Sequence, residues 1–97
     1  MDMKKKSKIP KYGDLPNLAN TNLVVGAKQL KKAVRNNRVR YVYLADNADP
    51  AVTEPLEKLC TENHIPITWV PSMADLGRAC GIEVGAAAAA ILNGSNG

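Results

Sequence analysis

Two short runs of β-branched and aromatic residues, Val39 to Ala45 and Ile65 to Val70, are separated by a segment that opens with helix-start chemistry. That alternation constrains the fold more than any other feature. Val42, Leu44 and Ala45 are apolar enough for a strand covered on both faces. Between the runs, Asp46 to Pro50 forms a turn, Asp49 is an N-cap and Pro50 a first helical residue. The helix it starts extends toward Asn63 and buries Leu56, Leu59 and Cys60. Pro55 falls awkwardly inside it, which implies a later start or a distortion. Alternating helices and strands in one small chain predict an α/β sandwich around a single sheet.

The flanking segments extend this pattern. Ala27 to Asn36 is amphipathic: Ala27, Leu30, Ala33 and Val34 share one face, and Lys28, Lys31, Lys32 and Arg35 the other. Thr21 to Val25 is a brief strand, and Asp14 to Asn20 a short helix with Asp14 as cap and Pro16 in its first turn. Ser72 and Asp75 have capping-box spacing, with Asp in place of Glu or Gln, and Gly81 suits a C′ position. Ala86 to Leu92 stays open. Five alanines favour a helix, but Gly85 and Gly94 leave a run as short as a covered strand. Residues 1–13 read as a disordered basic arm, 14–92 as one domain, and 93–97 as a flexible tail.

Charge is segregated along the chain. Of the net +4, the first eleven residues already supply +4, from five lysines against Asp2. Lys28, Lys31, Lys32, Arg35, Arg38 and Arg40 then follow one another with no intervening acid. Asp46, Asp49, Glu54, Glu57 and Glu62 come next, opposed only by Lys58. One surface thus suits a polyanion and another does not. No apolar h-region follows the basic N-terminus and no run is long enough for a membrane span, so a cytoplasmic protein with reduced thiols is expected, without a membrane partner.

Catalytic signals are weak. The phosphate-loop and dinucleotide-loop glycine patterns are absent. Cys60, His64 and Cys80 are three potential zinc ligands, but they lack a Cys-x-x-Cys pair. Their plain reading is two core cysteines and a histidine at a helix C-terminus. No enzyme activity, metal or cofactor is expected.

The binding signals are stronger. Gly26 lets the backbone enter the following helix without a side chain, which leaves the first amides as an anion site. Lys28 and Gln29 lie in that first turn. Lys donates to guanine O6 and N7, and Gln both donates and accepts. The competing reading is an ordinary solvated basic face. Near the other end, Ile82 and Val84 stand in a loop bounded by Gly81 and Gly85. They either tuck into the core or form an exposed apolar lip. Aromatics are few: Tyr12, Tyr41, Tyr43 and Trp69. That disfavours a surface of stacked bases.

Three segments carry a family resemblance over Asn22 to Leu92: Val-Gly-Ala-Lys-Gln-Leu-Lys-Lys from Val25 to Lys32, Leu-Ala-Asp-Asn-Ala-Asp-Pro from Leu44 to Pro50, and Leu76 to Val84 followed by the alanine run. In this order and spacing the chain resembles the kink-turn-binding ribosomal protein superfamily, the L-seven-Ae and L-thirty-e group, in its small bacterial YbxF-type branch. The resemblance implies a three-layer α/β/α sandwich with a mixed four-stranded sheet, and a strand at Ala86 to Leu92. It implies a partner RNA bent at tandem sheared G·A pairs, as in ribosomal RNA or a riboswitch.

By the same resemblance, the helix starting at Gly26 would enter the groove at the G·A pairs. Lys28 and Gln29 would stand where the family usually has Asn and Glu, and Lys32 where its motif has a lysine; Lys31 beside them would add phosphate attraction. Ile82, Glu83 and Val84 would cover the flipped-out nucleotide. The two replacements predict a larger phosphate component and weaker base discrimination. The family's final helix is not expected, and the Lys-rich arm lies outside the family core. A ribosome-associated interaction module with only general RNA affinity is the alternative. Nothing demands more than a monomer.

Overall fold

The computed structural model describes residues 15–93. Its elements are β1 (Leu23–Val25), α1 (Ala27–Arg35), β2 (Val39–Ala45), α2 (Pro50–Glu62), β3 (Ile67–Val70), α3 (Met73–Cys80) and β4 (Ala88–Leu92). The four strands form one sheet in the order β1-β4-β2-β3. β4 runs antiparallel to both β1 and β2, pairing Ala90 with Val24 on one side and Val42 on the other. β2 and β3 run parallel, with Leu44 opposite Trp69. The sheet is therefore mixed.

Strand periodicity sends alternate side chains to opposite faces, and each face has its own core. Leu30 and Val34 of α1 and Leu56 and Cys60 of α2 meet Val42, Leu44, Ala88 and Ala90 on one side. Leu76 and Cys80 of α3 meet Tyr43, Ala45, Val70 and Ala89 on the other. This is the three-layer α/β/α sandwich.

The alanine run is the strand that propensity alone left open. β4 is an internal strand, and Ala88, Ala89 and Ala90 are fully buried. Helices lie over both faces, so small side chains there permit close approach, and hydrogen bonding to two neighbours outweighs helix propensity. The strand begins at Ala88 rather than Ala86. β3 likewise starts at Ile67, because the Ile65 N–H is taken by the Cys60 carbonyl at the end of α2 (2.9 Å). α2 starts at Pro50 and continues through Pro55 without a later start. Pro55 and Ala51, whose carbonyl loses its usual amide partner, are both exposed.

The expected helix before β1 does not form over residues 15–20. The Leu18 N–H instead donates to the Ala79 carbonyl of α3 (2.8 Å), and the Ala19 N–H to Asn17 Oδ1 (2.9 Å). Leu18 is buried under α3, so a long-range contact takes the amide that a local turn would have used. The expected cap Asp14, the basic arm of residues 1–13 and the tail residues 94–97 lie outside the described residues.

Candidate nucleic-acid interface

The ends of β1 and β2 and the starts of α1, α2, α3 and β4 converge at one edge of the sandwich. Hydrogen bonds fix them to each other. The Gly26 N–H donates to the Ala88 carbonyl (2.8 Å), Ala45 N–H to Ala87 (2.9 Å), and Ala86 N–H to Met73 (3.0 Å). The β1–α1 turn and the α3–β4 loop are thereby held side by side.

Three helices start at this edge, and two are closed from within. Asp49 Oδ1 accepts from the Ala51 N–H of α2 (2.9 Å). Ser72 Oγ accepts from the Asp75 N–H of α3 (3.1 Å), and Asn47 Oδ1 from the Met73 N–H (2.8 Å). α1 differs. Its N-cap is Gly26, which offers no side chain, and its first turn has no acid. Gly26 takes φ 105 and ψ 152, a backbone region essentially confined to glycine. Open space surrounds its missing Cβ, so the requirement is conformational and not steric.

The predicted basic residues occupy this helix as its periodicity requires. Leu30, Ala33 and Val34 are buried. Lys28, Gln29 and Lys32 are exposed and Lys31 is half-buried. The i, i+4, i+7 spacing aligns Lys28, Lys32 and Arg35 along the outward stripe. Positive side chains and free amide dipoles at one helix start favour an anion there.

The glycine-bounded loop resolves into two roles. Ile82 is half-buried and packs into the α3-side core, whereas Val84 is 68% exposed and Glu83 is exposed beside it. Gly81 ends α3 in the left-handed region at φ 81. Ile82 N–H bonds to the Gly77 carbonyl and Gly81 N–H to Arg78, both at 3.1 Å, the paired bonds of a Schellman ending. Gly77 is the residue that sequence reasoning passed over. A Cβ there would sit 2.0 Å from the Val84 carbonyl, so only glycine lets the loop lie this close on α3. Its signal was a glycine inside a helix, where it is locally unfavourable.

The remaining polar candidates separate. Cys60 lies in the α1–α2 core and Cys80 in the α3 core, on opposite faces of the sheet. Burial raises both thiols, Cys60 to about 11. Both therefore stay protonated and unreactive near neutral pH. His64 sits exposed in the turn after α2, at φ 58. Tyr41 and Tyr43 pack as a tilted pair, ring centroids 5.2 Å apart, on the α3 side of the sheet, where the Tyr41 hydroxyl bonds to Thr68 Oγ1. Burial and the neighbouring Tyr41 push Tyr43 upward. These aromatic rings serve the core and are not aimed from the open helix start. No helix among the described residues is long and apolar enough to cross a membrane.

A mixed α/β/α sandwich with an open, basic helix start beside an apolar loop defines a recognisable class of ligand-binding protein. The ribosomal protein L7Ae/L30e/S12e/Gadd45 family model matches residues 12–96, and the chain belongs to that family. A Bacillus pumilus protein named as an RNA-binding protein is 46% identical over 71 residues, covering 73% of this chain and 87% of that one. The Geobacillus stearothermophilus RNA-binding protein YbxF is 41% identical over 70 residues, covering 72% and 85%. These relatives put the chain in the bacterial YbxF branch. Among solved structures, a 15.5 kDa RNA-binding protein of Giardia lamblia superimposes with TM-score 0.71 at 28% identity. The match covers 77% of this chain but 63% of that one, less than two thirds of its length.

Proposed function

We propose that the protein is a non-enzymatic RNA-binding module that recognises kink-turn RNA and stabilises its bent form, acting as a cytoplasmic monomer on ribosomal or riboswitch-type kink-turns. The observation that carries this reading is the start of α1. Among the described residues, no side chain closes that helix start, and its Gly26 N–H is tied to Ala88 of β4, the strand that follows the loop carrying the exposed Val84, in an RNA-binding family. Lys28, Lys31 and Lys32 supply phosphate attraction, and Lys28 with Gln29 the base contacts. Glu83 and Val84 cover the unstacked nucleotide, with Ile82 anchoring their loop to the core. A protein that binds the kinked state better than the straight one shifts the RNA toward it by that difference in affinity. No chemistry on the RNA is required.

The test is a titration against a short duplex with a consensus kink-turn, following binding and end-to-end energy transfer. The control duplex has Watson–Crick pairs in place of the G·A pairs. Binding and bending of the first alone is the expected result. Val84→Ser should narrow the gap between the two RNAs while leaving the salt dependence unchanged, because it removes an apolar cover and no charge. Equal, salt-sensitive binding to both duplexes by the unaltered protein would reduce the function to general RNA affinity.

A further inference from the structure

The basic stripe does not end at the α1 start. Arg35 continues the line of Lys28 and Lys32, and Arg38 and Arg40 follow it beyond the helix, all three exposed. Within α1, from Lys28 to Arg35, the band runs about 10 Å at the helical rise per residue. That is roughly three base-pair steps of duplex.

The far end is built on a fixed backbone. Asn37 takes the left-handed conformation at φ 56, and the Arg38 N–H returns to the Ala33 carbonyl (3.0 Å). Asn93, just after β4, clamps the same turn. Its Nδ2 donates to the Asn37 carbonyl (3.1 Å) and its N–H to the Arg38 carbonyl (2.7 Å). Arg38 and Arg40 therefore project from a pinned turn and a strand.

Among the described residues, no ion pair engages them. No acid interrupts Lys28 to Arg40 in the sequence. The ion pair found among the described residues is Arg78 with Asp75, on α3. α2, packed beside α1, presents Glu54, Glu57 and Glu62 against Lys58. A phosphate chain is thus attracted along α1 and repelled from α2. Basic residues in a last helical turn also complement the helix dipole. Arg40 lies in β2, outside any helix, and that role does not account for it.

We propose that Arg35, Arg38 and Arg40 form a second RNA contact zone, which holds the phosphate backbone of a duplex stem running along α1 away from the kink. This rests on the function proposed above and extends it from a point contact to a track. It makes affinity depend on stem length at fixed kink sequence.

The test uses the full chain and its Arg35→Gln/Arg38→Gln/Arg40→Gln variant. Each is titrated over a range of salt against kink-turn RNAs whose two stems are shortened separately. The variant should lose about two to three units of slope in the plot of log affinity against log salt on long-stem RNA. It should match the unaltered protein once the engaged stem is cut back to the kink. A thermal melt shows that the fold is kept, and the triple Arg→Lys variant should retain the slope, which separates charge from packing. Equal loss on long and short RNAs, or no loss on either, overturns the proposal. So does loss of binding to an acidic protein surface with RNA binding intact. If the unaltered protein fails to distinguish kinked from paired RNA, the kink-turn reading falls. The dependence on duplex length then still reports on these arginines.

Discussion

α1 and α2 lie side by side on one face of the same sheet, yet they share little except what they bury. Leu30 of one and Leu56 of the other are both fully buried in the same core. Their starts and outer faces diverge. α2 is capped by Asp49, begins on Pro50 and presents mostly glutamates outward. α1 begins on a bare glycine, has no acid in its first turn and presents lysines and an arginine. The buried face answers to packing and is much the same for any helix over this sheet. The ends and the outer face are free of that demand, so they are where a difference in purpose becomes visible. α2 closes its first turn with a side chain, while the N-cap of α1 offers none.

The sharpest way to break this contrast is to give α1 the sign of α2. Lys28→Glu with Lys32→Glu should lower affinity for kink-turn RNA by about 100-fold at near-physiological salt, since two attractive phosphate contacts become repulsive. Both side chains are exposed, so stability should change by less than about 0.5 kcal/mol. Filter binding and a thermal melt read the two effects separately. Undiminished affinity would mean that the outer face of α1 is only a solvated basic surface.

Much of this contrast was legible in the sequence, because it depends on local rules. The apolar and basic faces of α1 follow from its 3.6-residue period. The Asp49 cap, the Ser72 cap and the Gly81 ending follow from residue type and spacing, whereas the Asp75 carboxylate pairs with Arg78 and leaves the expected capping box half formed. What the residues alone left open depends on partners distant in sequence. The alanine run is a strand because two neighbours bond to it and helices cover both its faces, and a local propensity contains neither fact. The segment before β1 is irregular because Leu18 donates to Ala79 of α3. Ile82 and Val84, alike in the sequence, part company because the Schellman turn points one inward and Gly77 seats the other's carbonyl. The open start of α1 was suggested by Gly26. That α3 is closed twice, by Ser72 and by Asn47 from the neighbouring loop, is a feature of the fold that the sequence does not show.

A second test works on α2. Asp49→Ala removes the side chain that accepts from the Ala51 N–H, and should cost about 1 kcal/mol of stability. In a domain of this size that lowers Tm by roughly 4–8 °C. RNA affinity measured well below the transition should stay within a factor of about two, since a cap of this kind serves the fold. A large loss of affinity with little loss of stability would place Asp49 in the interface and blur the division between a closed helix and an open one.

The smallest effect probes the open end itself. Gln29→Glu puts a carboxylate in the first turn of α1, where the unpartnered amides and helix dipole favour negative charge. The fold should gain about 0.3–1 kcal/mol, visible as a small rise in Tm. The same carboxylate then competes with RNA for that positive end, so affinity for a fully paired control duplex should fall a few-fold. Kink-turn affinity should fall less, because a carboxylate accepts from guanine edges where a phosphate contact gains nothing from it. Discrimination between the two RNAs therefore rises even as total affinity drops. If paired-duplex binding is unchanged while Tm rises, the carboxylate has met the dipole without meeting RNA, and the start of α1 is not where phosphates sit.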